Sequence, residues 1–219
     1  MPALAAISGS TSFGQEPKTA GAAALPKPKT QGGKPLLEAL GQRKTLRNFT
    51  PAALPPQTLS NLLWAAFGVN RPDGKRTAPS ARNVQDIDIY VFLPDGVYAY
   101  DAVPHALKPV LAGDQRGKAF KQPLPAGSVT PPVTLIYVAD GEKTKPGGGR
   151  SPDGSPQTAW SNVHVGFIAQ NVYLYAASEG LASSFRANVD PDALSALLNL
   201  RPAQKPLYSH LVGFPSATS

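Results

Sequence analysis

Two short stretches carry residues whose types and spacing could do chemistry. Arg43-Lys44-Thr45-Leu46-Arg47-Asn48-Phe49 gathers three cations and a hydroxyl, and Ala78-Pro79-Ser80-Ala81-Arg82-Asn83 follows further along the chain. Arg43 and Arg47 are four apart, which on a helix places them on one face, where like charges repel by roughly 0.2–0.5 kcal/mol. An anion between them would relieve that repulsion, with the Thr45 hydroxyl as a further donor. The same pair also fits a plainer role, because cations in the last turn of a helix are favoured by the macrodipole and the free carbonyls. The second stretch supplies short polar side chains in a Pro-punctuated loop. Together the two describe a phosphate clamp plus a hydrogen-bonding edge for a planar heterocycle.

The elements that must position these residues can be read from periodicity and punctuation. A first helix is expected from Pro35 to Arg47, with Leu36, Leu37 and Leu40 facing the core. A second spans Pro56 to Phe67, where Leu59, Leu62, Leu63, Ala66 and Phe67 recur at helical spacing and Gly68 is the stop. A polar loop covers Asn70 to Gln85. Ile87 to Leu93 is β-branched and aromatic, Pro94-Asp95-Gly96 is a turn, and Val97 to Tyr100 returns as a hairpin strand. A short helix is expected over His105 to Ala112. Val133 to Ala139 is a continuous apolar strand suited to a sheet interior. Residues 140–157 form a Gly/Pro-rich loop, long enough for a lid or an irregular excursion. The longest helix runs from Ala159 to Glu179 and is apolar on more than one side, hence central. Asp190-Pro191 opens a short helix as N-cap and first residue, and Tyr208 to Phe214 is the last strand. The order α-α-β-β-α-β-α-α-β predicts an α+β fold.

The bulk composition narrows the function classes. With 219 residues and 42% hydrophobic content, the chain can build one domain with a real core. It has no cysteine, which excludes disulfides, iron–sulfur clusters, thiolate zinc sites and Cys nucleophiles. No apolar run approaches membrane-spanning length. The formal net charge is +7, but it does not form a nucleic-acid stripe. Residues 1–34 hold Lys18, Lys27, Lys29 and Lys34 against Glu16, and the remaining excess is scattered among loops without interleaved aromatics. That segment, rich in Ala, Pro and Lys, is expected to be a flexible tail ahead of a domain over 35–219. It has no charged n-region or apolar h-region of a signal peptide. The compartment stays open between the cytoplasm and, for a tail left after a removed signal, the periplasm.

Several motifs lead nowhere. Gly68 to Lys75 imitates a P-loop, but five residues separate its glycines and Arg76 stands where the magnesium-binding hydroxyl belongs. Gly147-Gly148-Gly149 is not followed by the glycine of a dinucleotide fingerprint. His105, His164 and His210 are far apart, read as surface or supporting residues, and no metal site is expected. No Gly-x-Ser-x-Gly elbow is present. Asp86 and Asp88 alternate at a strand start and read as solvent-facing. This lack of acid–base or nucleophilic machinery favours chemistry carried by a cofactor.

Four segments in order make the chain resemble the nitroreductase family of FMN-dependent oxidoreductases. Arg43 to Phe49 resembles that family's opening Arg-rich motif. Ala78-Pro79-Ser80-Ala81-Arg82-Asn83-Val84-Gln85 resembles its Pro-Ser loop. Gly166 to Leu181, with Gln170-Asn171 and Glu179-Gly180-Leu181, resembles its central helix, and Val212-Gly213-Phe214-Pro215 its closing strand. Tyr98 to Arg116, with Tyr100-Asp101, His105-Ala106-Leu107 and Gly113-Asp114-Gln115-Arg116, is similar to the branch that contains the azoline-peptide dehydrogenases.

The resemblance implies a mainly antiparallel sheet flanked by helices, in an intertwined homodimer with FMN sites at the subunit interface. Arg43 and Thr45 would bind the FMN phosphate with Lys44 nearby, and Arg47 would face the pyrimidine edge. Pro79, Ser80, Ala81 and Asn83, from the other subunit, would line the isoalloxazine. Ser184-Phe185-Arg186-Ala187 would lie near N5. The family's basic residues after the closing strand have no counterpart in Ser216-Ala217-Thr218-Ser219, so the clamp is expected to be weaker, or completed by Arg186. The implied activity is a ping-pong hydride transfer from NAD(P)H through FMN to a nitroaromatic, quinone or similar acceptor. Two alternatives stand beside it: an FMN-dependent oxidation of thiazoline or oxazoline rings in peptides, and a flavin-binding protein without turnover.

Overall fold

The computed structural model describes residues 23–144 and 157–217. Its centre is a seven-stranded sheet in the order β1-β4-β3-β2-β5-β7-β6, with every neighbouring pair antiparallel. The strands are β1 (Ala23–Ala24), β2 (Ile87–Leu93), β3 (Gly96–Asp101), β4 (Ala106–Ala112), β5 (Val133–Asp140), β6 (Ala182–Arg186) and β7 (Gln204–Gly213). The helices are α1 (Leu36–Gln42), α2 (Pro56–Phe67), α3 (Gln157–Glu179) and α4 (Pro191–Leu197). This is the expected α+β architecture.

The apolar run of β5 shows why the sheet lies between two layers. All eight of its residues are buried. Val133, Leu135, Tyr137 and Ala139 point to the face covered by α2 and α3, while Ile136 and Val138 point to the face covered by α4, Phe49 and the 116–119 turn. A strand with period two can be apolar throughout only when both faces are covered. Helix α2 ends at Gly68, where a Cβ would collide with Trp64. Helix α4 begins as the sequence predicts, with the Asp190 carboxylate accepting from the Ala193 N–H at 3.0 Å.

Three expectations are corrected, and two strands are added. The first helix stops at Gln42 instead of Arg47, because Arg43 leaves the helix at φ −57°, ψ 120° and the Leu46 N–H donates to the Ser183 carbonyl at 3.0 Å. The edge of β6 thus takes the bond that a further helical turn would have used. Leu36, Leu37 and Leu40 are not core residues: they are 63%, 80% and 44% exposed, and Ala39 is the buried position of α1. Residues 106–112 form a strand rather than a helix, hydrogen-bonded to β3 on one side and to β1 on the other. Pro109 would break a helix interior but is tolerated beside the irregularity at Val97 and Tyr98. Strands β1 and β6 were not anticipated from the sequence.

Part of the segment expected as a tail lies against the body. Leu25 N–H donates to the His105 carbonyl, Ser60 Oγ to the Pro26 carbonyl, and Lys34 N–H to Ser178 Oγ. Residues 1–22 of that segment lie outside the described residues, as do residues 145–156 of the expected 140–157 loop. Among the described residues no helix is long and apolar enough to cross a membrane.

Candidate functional site

The segment after α1 crosses the outer edge of β6 and continues to a bridge between Phe49 and Pro215. Arg43 and Arg47 therefore do not share a helical face, and they converge in another way. The Arg43 guanidinium lies 5.4 Å from the centre of the Tyr173 ring. Thr45 Oγ1 is 3.0 Å from the Tyr173 hydroxyl, which also accepts the Phe185 N–H at 2.9 Å. The one phenol oxygen thus serves both Thr45 and the Phe185 backbone. Arg186 follows directly on β6. Burial is the larger cause that pulls its guanidinium below the ordinary value, and the charge of Arg47 adds to it.

Among the described residues, no ion pair engages Arg43, Lys44, Arg47 or Arg186. A cation cluster without an anion is electrostatically incomplete. Lys44 also borders a cavity of about 620 Å³ shared with Lys34, Tyr173 and Ser216. Ala187 is exposed at the end of β6.

Beneath Tyr173 lies His210, whose ring centre is 4.8 Å from that of Tyr173. Its Nδ1 is 3.1 Å from the Tyr137 hydroxyl and its Nε2 2.7 Å from Ser183 Oγ. Full burial pushes this imidazole down to about 3, so it is neutral at physiological pH. It is a satisfied core group, which takes the supporting rather than the surface half of the sequence reading.

The Pro79 to Asn83 loop is built around strained backbone. Arg82, Asn83 and Gln85 all have positive φ, at 51°, 56° and 49°, a region that non-glycine residues enter only when surrounding contacts enforce it. Those contacts are explicit. Asn83 N–H donates to the Ser80 carbonyl, Gln85 N–H to Ser80 Oγ, Gln85 Nε2 to Asn83 Oδ1, and Arg76 Nε to Gln85 Oε1. At the base of the loop, Ala81 N–H donates to His164 Nε2 at 2.8 Å.

Asp86 is the main surprise of the site. It is 1% exposed, not solvent-facing, and lies with His164 and Ser161, each also 1% exposed. Its carboxylate accepts from His164 Nδ1 and from Ser161 Oγ, both at 2.6 Å. Burial pushes that carboxyl up, but interactions led by the hydrogen bonds from His164 and Ser161 bring it below the ordinary carboxylate value. The three types are those of a hydrolase triad, yet the arrangement cannot act as one. Ser161 faces the carboxylate, and the His164 nitrogen that would take its proton is occupied by Ala81.

The structure thus brings Arg43 and Thr45 to Tyr173, with Arg186 next to the Phe185 that Tyr173 binds and Arg47 within electrostatic reach of Arg186, and anchors the Pro79 to Asn83 loop on His164 through Ala81. Among the described residues, no hydrogen bond or ion pair joins the two groups. Tyr173 and His164 are nine residues apart on α3, about 14 Å along its axis. Tyr173, Asp86 and the role of His164 were missed from sequence; Tyr173 and Tyr175 both lie in the apolar pattern of α3, and nothing local distinguishes the one that meets Thr45. What the site can do is bind: it offers cations for an anion and a rigid polar edge for a planar group, without a nucleophile or an acid–base pair.

Comparison with known proteins finds relatives of the chain in both sequence and fold. The sequence model of the nitroreductase family matches residues 40–214. A nitroreductase candidate from Methanocaldococcus jannaschii is 32% identical over 158 residues, covering 68% of this chain and 76% of that protein. The crystal structure of a nitroreductase candidate from Ralstonia eutropha JMP134 superposes with a TM-score of 0.81 at 34% identity, over 91% of this chain and 92% of the other. A chain of the Escherichia coli microcin synthetase complex, solved with a truncated precursor bound, shares the fold with a TM-score of 0.66 at 21% identity, over 77% of this chain and 67% of that one.

Proposed function

The chain belongs to the nitroreductase family and is an oxidoreductase of that type; from this premise we propose that it is an FMN-dependent enzyme that carries a hydride from NAD(P)H to an organic acceptor such as a nitroaromatic or a quinone. The observation that supports the cofactor is Arg43 and Lys44 at Tyr173, with Arg186 and Arg47 on the adjoining sheet edge, and no ion pair to any of the four among the described residues. Such a cluster fits a phosphate, and positive charge at the edge of an isoalloxazine stabilises its reduced, anionic form.

In this proposal Arg43, Lys44 and Thr45 hold the phosphate, and Tyr173 fixes the Thr45 hydroxyl from below. Arg47 and Arg186 place positive charge at the ring edge, and Ala187 ends the strand beside it. Pro79, Ser80, Ala81 and Asn83 of a second copy line the ring in a homodimer. When bound, FMN supplies hydride transfer in two half-reactions, in from NAD(P)H and out to the acceptor. The protein contributes orientation and charge, which is the usual division of labour in a cofactor enzyme.

The purified protein should be yellow, or become so on addition of FMN, and should oxidise NAD(P)H when menadione or a nitrofuran is supplied. A colourless protein that neither takes up FMN nor turns over would end the proposal.

A further inference from the structure

We infer that His164 is the positioning residue of the 79–85 loop, acting through a single hydrogen-bond acceptor that Asp86 and Ser161 hold ready. Its functional consequence rests on the flavin site proposed above; the latch itself rests on geometry. His164 Nε2 accepts the Ala81 N–H at 2.8 Å, so the ring proton is on Nδ1 and is donated to Asp86 Oδ1 at 2.6 Å. Asp86 Oδ2 in turn takes the Ser161 proton at 2.6 Å. The carboxylate therefore fixes both the tautomer and the rotation of the imidazole, as a carboxylate behind a histidine generally does.

What this anchor holds is unusual. Ala81 immediately precedes Arg82, and three of the four residues from Arg82 to Gln85 are left-handed without being glycine. The remaining loop contacts, among Ser80, Asn83, Gln85 and Arg76, tie the loop mostly to itself and its flank. His164 ties it to α3, and Asp86 ties the same point to the start of β2, so the loop backbone is referenced to two rigid elements. A ring-lining loop displaced by an ångström can cost on the order of 100-fold in rate, so the acceptor that fixes Ala81 should govern turnover without touching the reacting atoms.

The test compares full-length His164→Phe, which keeps a ring but loses both nitrogens, with His164→Gln, whose amide oxygen can take the Ala81 N–H. Without flavin, trypsin should cut after the exposed Arg82 at least about tenfold faster in His164→Phe than in the parent, read by mass spectrometry. With FMN loaded, kcat/KM for NAD(P)H–menadione turnover should fall by about 10–100-fold and the visible flavin bands should shift, whereas His164→Gln should stay within about threefold of the parent in both assays. Should His164→Phe not fold, Asp86→Asn carries the same comparison, since it removes the charge that sets the imidazole tautomer. Unchanged cleavage overturns the latch. Faster cleavage with unchanged turnover and spectrum overturns the positioning role, and a His164→Gln protein as impaired as His164→Phe overturns the acceptor assignment. A parent that takes up no FMN would instead remove the flavin proposal and leave the latch to be decided by cleavage alone.

Discussion

The hydroxyls of Tyr173 and Thr45 meet at 3.0 Å across 128 residues of chain. Through the same oxygen the Phe185 N–H is satisfied, so one phenol joins the cation segment, the central helix and the sheet edge. Tyr173→Phe keeps the ring under Arg43 and removes only this oxygen. The Phe185 N–H then loses its partner, at a cost of about 1–3 kcal/mol. We expect a lower unfolding midpoint in urea and an FMN dissociation constant raised about five- to tenfold, measured by flavin fluorescence titration. Unchanged affinity would show that Thr45 needs no support from below.

The proposed division of labour among the cations separates in a comparison of FMN with riboflavin, which lacks the phosphate. Loss of a charged hydrogen-bonding group costs about 2 kcal/mol, or roughly thirtyfold. Arg43→Ala should weaken FMN by that factor and leave riboflavin nearly untouched. Arg47→Ala should weaken both ligands and lower the flavin reduction potential, because positive charge at the ring edge favours the reduced state. Lys44, exposed at the cavity mouth, should matter less, within about threefold. Equal, negligible effects from all three substitutions would contradict the clamp.

His210 links the floor of the site to pH. Its folded value is pushed down to about 3 by burial, below the ordinary histidine value of about 6.5. Between those values the unfolded chain binds a proton that the folded chain refuses, so stability falls as pH drops below about 6.5 and this contribution levels off near 3. The slope reaches roughly 1.4 kcal/mol per pH unit. His210→Gln lacks this contribution. Urea unfolding at neutral pH and at mildly acidic pH should therefore show the gap between parent and variant narrowing on acidification. Parallel curves would mean that the imidazole titrates normally.

The parts of the fold legible in the sequence are those that local chemistry decides. Helix α2 has its apolar spacing and its glycine stop, β5 is apolar on both faces, and Asp190-Pro191 carries a complete helix start. The misread parts are settled by distant partners. Leu107, Val110 and Leu111 recur at helical spacing, yet β3 needs a neighbour and makes that stretch a strand. Arg43 to Arg47 continue a helical pattern, yet the edge of β6 pulls them out through Leu46 and Ser183. The candidate binding residues were recognisable as types in order. Their supports were not: Tyr173 and His164 meet partners 128 and 78 residues away, and Asp86 looks like a surface carboxylate until the helix that buries it is in place.

One side of α3 is turned away from the core. Val163 and Phe167, one helical turn apart, are 46% and 44% exposed, and around Gly166 between them a Cβ would meet nothing. A long helix with an apolar face in solvent fits the homodimer proposed above, in which that face packs against a second copy and brings its 79–83 loop to the ring. Phe167→Asp would place a charge in the centre of that face. Losing a central aromatic anchor and burying a carboxylate there should raise the dimer dissociation constant about 100-fold or more, visible as monomer in sedimentation velocity at micromolar protein. Because the ring-lining loop is assigned to the partner, FMN affinity should fall in step with dissociation and recover as protein concentration is raised. A monomeric Phe167→Asp protein that binds FMN as tightly as the parent would place the whole flavin site within one chain.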